Sequence, residues 1–259
     1  MYKLKFILFC AAVLGLPALL MSQPEAQIRD LGKLVMITSP AILGLLLNWG
    51  TGDRGTKPVW RAVGVSAGVS FAILVVSVAI AMLTGHTRFG GSVMVPQALS
   101  AALGTTLLTS VLEELGWAAG GLALAIKAYG RRFGVLLLGV VWACWHLVPA
   151  YFKLGLFPDL EAASTAHIIT FVITCVIYRE LLTLLRERAQ TWLAAAVAHA
   201  LPNLVFAGLI GLGIQGFGVK DWPLTPVPGG SIFLVVAGLA ILLLSRSRAV
   251  QGSARRQIE

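Results

Sequence analysis

Nine of the 11 acidic residues fall in expected loops, at the ends of apolar stretches or in the C-terminal tail. The two exceptions, Glu113 and Glu114, are adjacent and sit near the middle of a long apolar run. Two of the four histidines are placed in the same way: His146 follows Trp142 at i+4, and His199 precedes Asn203 at i+4. Each of those pairs shares one face of a helix. A carboxylate deep in an apolar helix costs several kcal/mol unless it faces protein or water, so it reads as functional by default. Glutamate, two imidazoles and an amide in a dry pocket suit hydrolysis of an amide bond. The carboxylate can take a proton from water that an imidazole orients, while His and Asn donors stabilise a developing oxyanion. No serine or cysteine nucleophile is needed.

The elements that must position these groups are long apolar helices. A hydrocarbon core of about 30 Å takes about 20 residues of helix, and the sequence offers about eight such stretches, near 4–21, 31–49, 62–83, 98–126, 133–152, 165–185, 191–214 and 230–245. Glu113 lies 14 residues before Lys127, and His146 lies 14 after Arg132, about 21 Å in each case at ~1.5 Å per residue. His199 and Asn203 lie 11 and 15 residues after Arg188, roughly 16 and 22 Å on the same rise. The fourth, fifth and seventh stretches therefore bring their polar residues to one layer.

Composition agrees with a lipid setting. Lys and Arg (20) and Asp and Glu (11) together make only 12% of the 259 residues, hydrophobic residues make 58%, and mean hydropathy is +0.87. A soluble globular domain, a disordered chain and a collagen-like fibre are excluded. The net charge of +9 forms no basic face of the kind nucleic acid requires. With the N-terminus cytoplasmic and all eight stretches spanning, 15 of the 20 basic residues, Arg179, Arg186 and Arg188 among them, fall on the cytoplasmic side, as the positive-inside bias demands. The expectation is an all-α polytopic membrane helix bundle of about eight transmembrane helices with both termini cytoplasmic. It forms a single transmembrane domain over 1–259 with its motif core near 100–210. The first stretch also resembles a signal peptide, but no small-x-small site follows it, and it is expected to stay as an anchor.

The remaining polar features have plainer readings. Cys10, Cys144 and Cys175 sit inside apolar runs without CxxC spacing and read as inert core residues. His86 and His167 read as interface residues, and Trp222 as an interfacial anchor in the Gly- and Pro-rich segment 215–230. Glu113, His146 and His199 could instead hold a catalytic zinc, although HExxH spacing is absent and Asn203 is a poor zinc ligand. A transporter also keeps buried carboxylates and histidines, but here they are confined to three of the eight stretches.

The runs Glu113-Glu114-Leu115-Gly116-Trp117, Trp142-Ala-Cys-Trp-His146-Leu-Val-Pro149 and His199-Ala-Leu-Pro-Asn203 resemble three motifs of the CPBP family, the CAAX proteases and bacteriocin-processing enzymes. Those motifs are EExxxR, FxxxH or WxxxH, and HxxxN, in that order on an eight-helix membrane fold. The resemblance implies a membrane-embedded glutamic endopeptidase similar to the type II CAAX prenyl endopeptidase, acting without a cofactor. Glu113 would activate water with His146, Glu114 would support the site, and His199 with Asn203 would form the oxyanion hole. Its partners would be the lipid bilayer and a membrane-associated peptide or protein substrate, prenylated or leader-bearing, with no nucleic acid, in a bacterial-type cell membrane. One position departs from the pattern: the arginine that closes the first motif falls on Ala118. Glu114 then lacks its expected partner. It is protonated, or a basic group from elsewhere substitutes, or the chain is an inactive relative that binds peptide or confers immunity.

Overall fold

The structure, a computed structural model, describes residues 1–48, 60–215 and 230–256. Trp222 and most of its segment lie outside the described residues, as do Arg54 and Lys57, which were expected on the cytoplasmic side. The chain forms α1 (Tyr2–Met21), α2 (Ala26–Leu47), α3 (Trp60–Leu83) and α4 (Pro96–Gly116). A π-helical turn at Trp117–Gly121 carries α4 on into α5 (Leu122–Tyr129). There follow α6 (Arg131–Tyr151), the single turn α7 (Pro158–Glu161), α8 (Thr165–Ala189), α9 (Trp192–Gly211) and α10 (Ser231–Arg256). Two two-residue strands, β1 (Arg88–Phe89) and β2 (Ile214–Gln215), pair antiparallel and tie the α3–α4 loop to the end of α9.

The architecture is an all-α membrane bundle. Among the described residues seven helices are long and apolar enough to cross a membrane, counting Pro96–Tyr129 as one continuous unit of 34 residues, and an eighth apolar helix, Ser231–Arg246, is shorter. The expected stretch 98–126 is thus longer than expected and is interrupted by the π-helical turn. α2 begins earlier than its apolar run, and its first turns carry the ion pair of half-buried Lys33 with exposed Asp30 at 2.9 Å. Outward-facing Leu8, Leu19, Phe71, Leu108, Leu136 and Leu243 are exposed, which suits a surface solvated by lipid tails.

Local chemistry sets the boundaries around the motif helices. Ser164 caps α8 reciprocally with His167: Ser164 N–H donates to His167 Nδ1 at 3.0 Å and His167 N–H to Ser164 Oγ at 3.4 Å. His167, expected to be an interface residue, is thus a capping residue. The tight α8–α9 connection uses Gln190 in the left-handed region and Thr191, whose Oγ1 accepts from Leu193 N–H. Arg131 at the start of α6 pairs with Glu180 and Glu187 of α8 at 2.8 and 2.9 Å. Glu180 therefore lies within α8, not at its end.

The interior contains the last two turns of α4, the π-helical turn and most of α5, and this unit contacts α1, α2, α6 and α9. Association of helices in lipid relies on close packing, and small residues allow it. A Cβ at Gly116 would lie 2.2 Å from the Pro40 carbonyl carbon, and one at Gly120 would lie 2.3 Å from Gly44 Cα. The backbones of α2 and α4 are therefore in contact. We expect Gly120→Ala to cost about 1–3 kcal/mol through overpacking, whereas Gly104→Ala, whose new Cβ meets nothing within 4 Å, should stabilise by about 0.5–1 kcal/mol. Thermal unfolding in detergent measures both, and equal effects at the two positions would contradict this packing.

Candidate active site

The two adjacent glutamates have different surroundings. Glu114 has no solvent exposure. Arg179 of α8, itself 1% exposed, grips it with a two-pronged fork: Nη1 donates to Oε2 at 2.7 Å and Nη2 to Oε1 at 3.0 Å. His199 of α9 places Nδ1 2.9 Å from the same Oε1. Because both carboxylate oxygens already accept from the guanidinium, His199 is the donor, through Nδ1–H. Glu113 is 8% exposed and accepts a single hydrogen bond among the described residues, from Trp142 Nε1 at 3.0 Å.

Trp142 on α6 is the hub of the site. The Arg179 guanidinium lies over its ring, 4.2 Å from the centroid, a cation–π contact in a desolvated setting. The rings of His146 and His199 both meet it edge-on at 5.3 Å. One turn on from Trp142, His146 sets Nδ1 2.9 Å from the Trp142 carbonyl oxygen. A carbonyl only accepts, so Nδ1 carries the proton and Nε2 is left for chemistry. In both histidines the second nitrogen is held by a fixed partner, which is how proteins orient a working imidazole.

The structure thus brings Glu113, Glu114, His146 and His199 together around Trp142. Asn203 stands one turn beyond His199, half-buried, and its Nδ2 donates to Ser110 Oγ at 3.3 Å. Ser110 is on the face of α4 that carries Glu113, three residues earlier. Among the described residues no three His, Cys, Asp or Glu side chains are grouped to hold a metal ion. Cys10, Cys144 and Cys175 are free thiols.

Four features were not anticipated. Arg179, expected on the cytoplasmic side with Arg186 and Arg188, is instead inside the bundle. The signal was its position ten residues before the end of α8, about 15 Å along the helix, where a charge needs a partner. Tyr178 donates from its hydroxyl to the Ala198 carbonyl at 2.9 Å, fixing α9 beside His199. Phe157, from the segment before α7, and Phe171 of α8 close round His146 with centroids at 5.1 and 5.5 Å. Trp145 Nε1 donates to the Met36 carbonyl at 3.2 Å and so ties α6 to α2.

Fold and site together define an integral, multi-pass membrane protein with a buried carboxylate, imidazole and amide constellation on α4, α6 and α9. Residues 95–205 match the family model of the type II CAAX prenyl endopeptidase Rce1-like proteins. The segment that builds the site is therefore similar to the CAAX prenyl endopeptidases, in line with the three motifs. No curated protein matches the chain in sequence. Position 118, where the motif resemblance expects arginine, holds Ala118 at 2% exposure, and the guanidinium that pairs with Glu114 comes from α8. The inactive-relative reading rested on an unpartnered Glu114, and that premise does not hold.

Removing one member of this pair strands the other in a dry interior. Arg179→Met should cost about 3–5 kcal/mol, whereas Arg179→Met combined with Glu114→Leu should cost far less. Unfolding midpoints of the two variants in detergent provide the check, and equal losses would mean that the pair is not coupled.

Proposed function

We propose that the chain is a membrane-embedded endopeptidase in which Glu113 is the general base. The observation that supports this most is the asymmetry of the two glutamates. A carboxylate has about four acceptor sites: Glu114 fills three of them with Arg179 and His199, while Glu113 accepts from Trp142 alone. Glu113 thus keeps the capacity to accept from water. His146 Nε2 helps to orient that water. The water oxygen attacks the scissile carbonyl carbon as one of its protons passes to Glu113. His199, carrying protons on both ring nitrogens so that Nε2 donates while Nδ1–H stays on Glu114, and Asn203, through its amide, then stabilise the oxyanion. Collapse of the tetrahedral intermediate expels the amine with the proton held on Glu113, and two peptide fragments result. The substrate is a membrane-associated peptide or protein, cut near a prenylated C-terminus of CAAX type or at a hydrophobic leader.

In purified protein reconstituted in lipid, Glu113→Gln should lower kcat/KM by about a hundred- to ten-thousand-fold, and Asn203→Ala by about a hundred- to a thousand-fold. Mass spectrometry of peptides altered by the wild type but not by Glu113→Gln would identify the substrate. Wild-type cleavage by Glu113→Gln would overturn the mechanism. Cleavage should also survive a chelator; loss with chelator and recovery with zinc would establish the metal reading in its place.

A further inference from the structure

We propose that Arg179 is the positioning residue for both glutamates, a single guanidinium from α8 that sets the acid–base side and the oxyanion side of the site at once. The inference rests on the peptidase reading above and deepens it. Two independent contacts carry it. Through its two Nη groups Arg179 fixes both oxygens of Glu114, which in turn holds His199 Nδ1–H. Through its cationic face it lies on the Trp142 ring at 4.2 Å, and Trp142 donates to Glu113. The guanidinium touches neither Glu113 nor His199 by hydrogen bond. It reaches the first through Trp142 and the second through Glu114.

The residue type follows from that double task. Only a planar fork can satisfy both carboxylate oxygens in parallel while presenting a flat cation to an aromatic ring. A lysine ammonium is a point charge and can keep one contact at the expense of the other. α8 is also the helix able to supply the group. It packs against the π-helical turn as well as against α6 and α9, and Ala118 within that turn is small. Tyr178, the neighbour of Arg179, anchors α8 to the Ala198 carbonyl, so the register of α8 against α9 is set next to the charge it delivers.

The experiment pairs kinetics with a spectroscopic readout that does not depend on turnover. Arg179→Lys retains the buried positive charge and is the variant that folds; Arg179→Met is made beside it. With ¹⁵N-histidine labelling of the full chain in lipid nanodiscs, the hydrogen-bonded Nδ1–H proton of His199, assigned by its absence in His199→Gln, should shift or broaden in Arg179→Lys. In the same variant kcat should fall by about 10–100-fold with KM nearly unchanged, since the residue orients reacting groups without touching substrate. A folded Arg179→Lys with a wild-type Nδ1–H signal and wild-type kcat overturns the proposal. If Arg179→Met does not fold, the Lys variant alone decides. The peptidase reading fails separately: Glu113→Gln should keep the His199 signal while losing cleavage, and a wild type that cleaves no peptide leaves the signal of Arg179→Lys to decide the role of Arg179.

Discussion

The Glu114–Arg179 pair joins α4 to α8 by hydrogen bonds of 2.7 and 3.0 Å at a point where neither side chain meets solvent. In water such a pair contributes little. Inside a bundle solvated by lipid the balance is different, because neither charge can be left alone and no solvent can take over from a missing partner. The pair therefore acts as a constraint more than as a source of stability: α4 and α8 must meet in one register, and His199 of α9 must meet them there too. Once these three helices are fixed, Trp142 has one place to go, beneath the guanidinium and against Glu113, and α6 is fixed with it.

This arrangement divides labour between two residues that are identical and adjacent in sequence. Successive residues on a helix point about 100° apart, so Glu113 and Glu114 cannot share an environment. Glu114 points into the ring of donors and is saturated. Glu113 points towards the side lined by Trp142, with a small residual exposure and one donor. The cost of the second carboxylate is met by the first contact network, and its product is an acceptor held still without being fully satisfied.

Much of this was legible in the sequence. Apolar runs of about 20 residues marked the membrane helices, and i+4 spacing put His146 with Trp142 and His199 with Asn203. What was not legible shares one physical cause: it depends on which helices are neighbours. Arg179 carries the same charge as the basic residues that hold loops to the cytoplasmic side, and sign alone does not separate a topogenic arginine from a buried one. The capping role of His167 depends on a single serine three residues earlier, a contact its place near the end of an apolar run does not announce. Phe157 reaches His146 from a segment whose course, with Lys153 and Gly155 at positive φ, no periodicity describes. The 34-residue unit from Pro96 to Tyr129 also concealed its π-helical turn, since a run of small residues reads equally well as plain α-helix.

The π-helical turn directly follows the two glutamates, yet their countercharge comes from another helix. A π-helical turn disturbs the backbone ladder, and such turns cluster at functional sites. Here Asn48 Nδ2 donates to the Ala119 carbonyl at 3.0 Å, so α2 supplies a bond to the turn. The two segments come that close because Gly116 and Gly120 lie against Pro40 and Gly44. Of the residues between them, Trp117 sends its ring to Phe9 and Trp145, and Ala118 and Ala119 are buried and small. Ala118 is buried and carries no charge, so the turn itself offers Glu114 no cation. The countercharge is delivered from across the bundle, where Arg179 of α8 meets both Glu114 oxygens, and α8, which packs against the turn as well as against α6 and α9, is the helix placed to provide it.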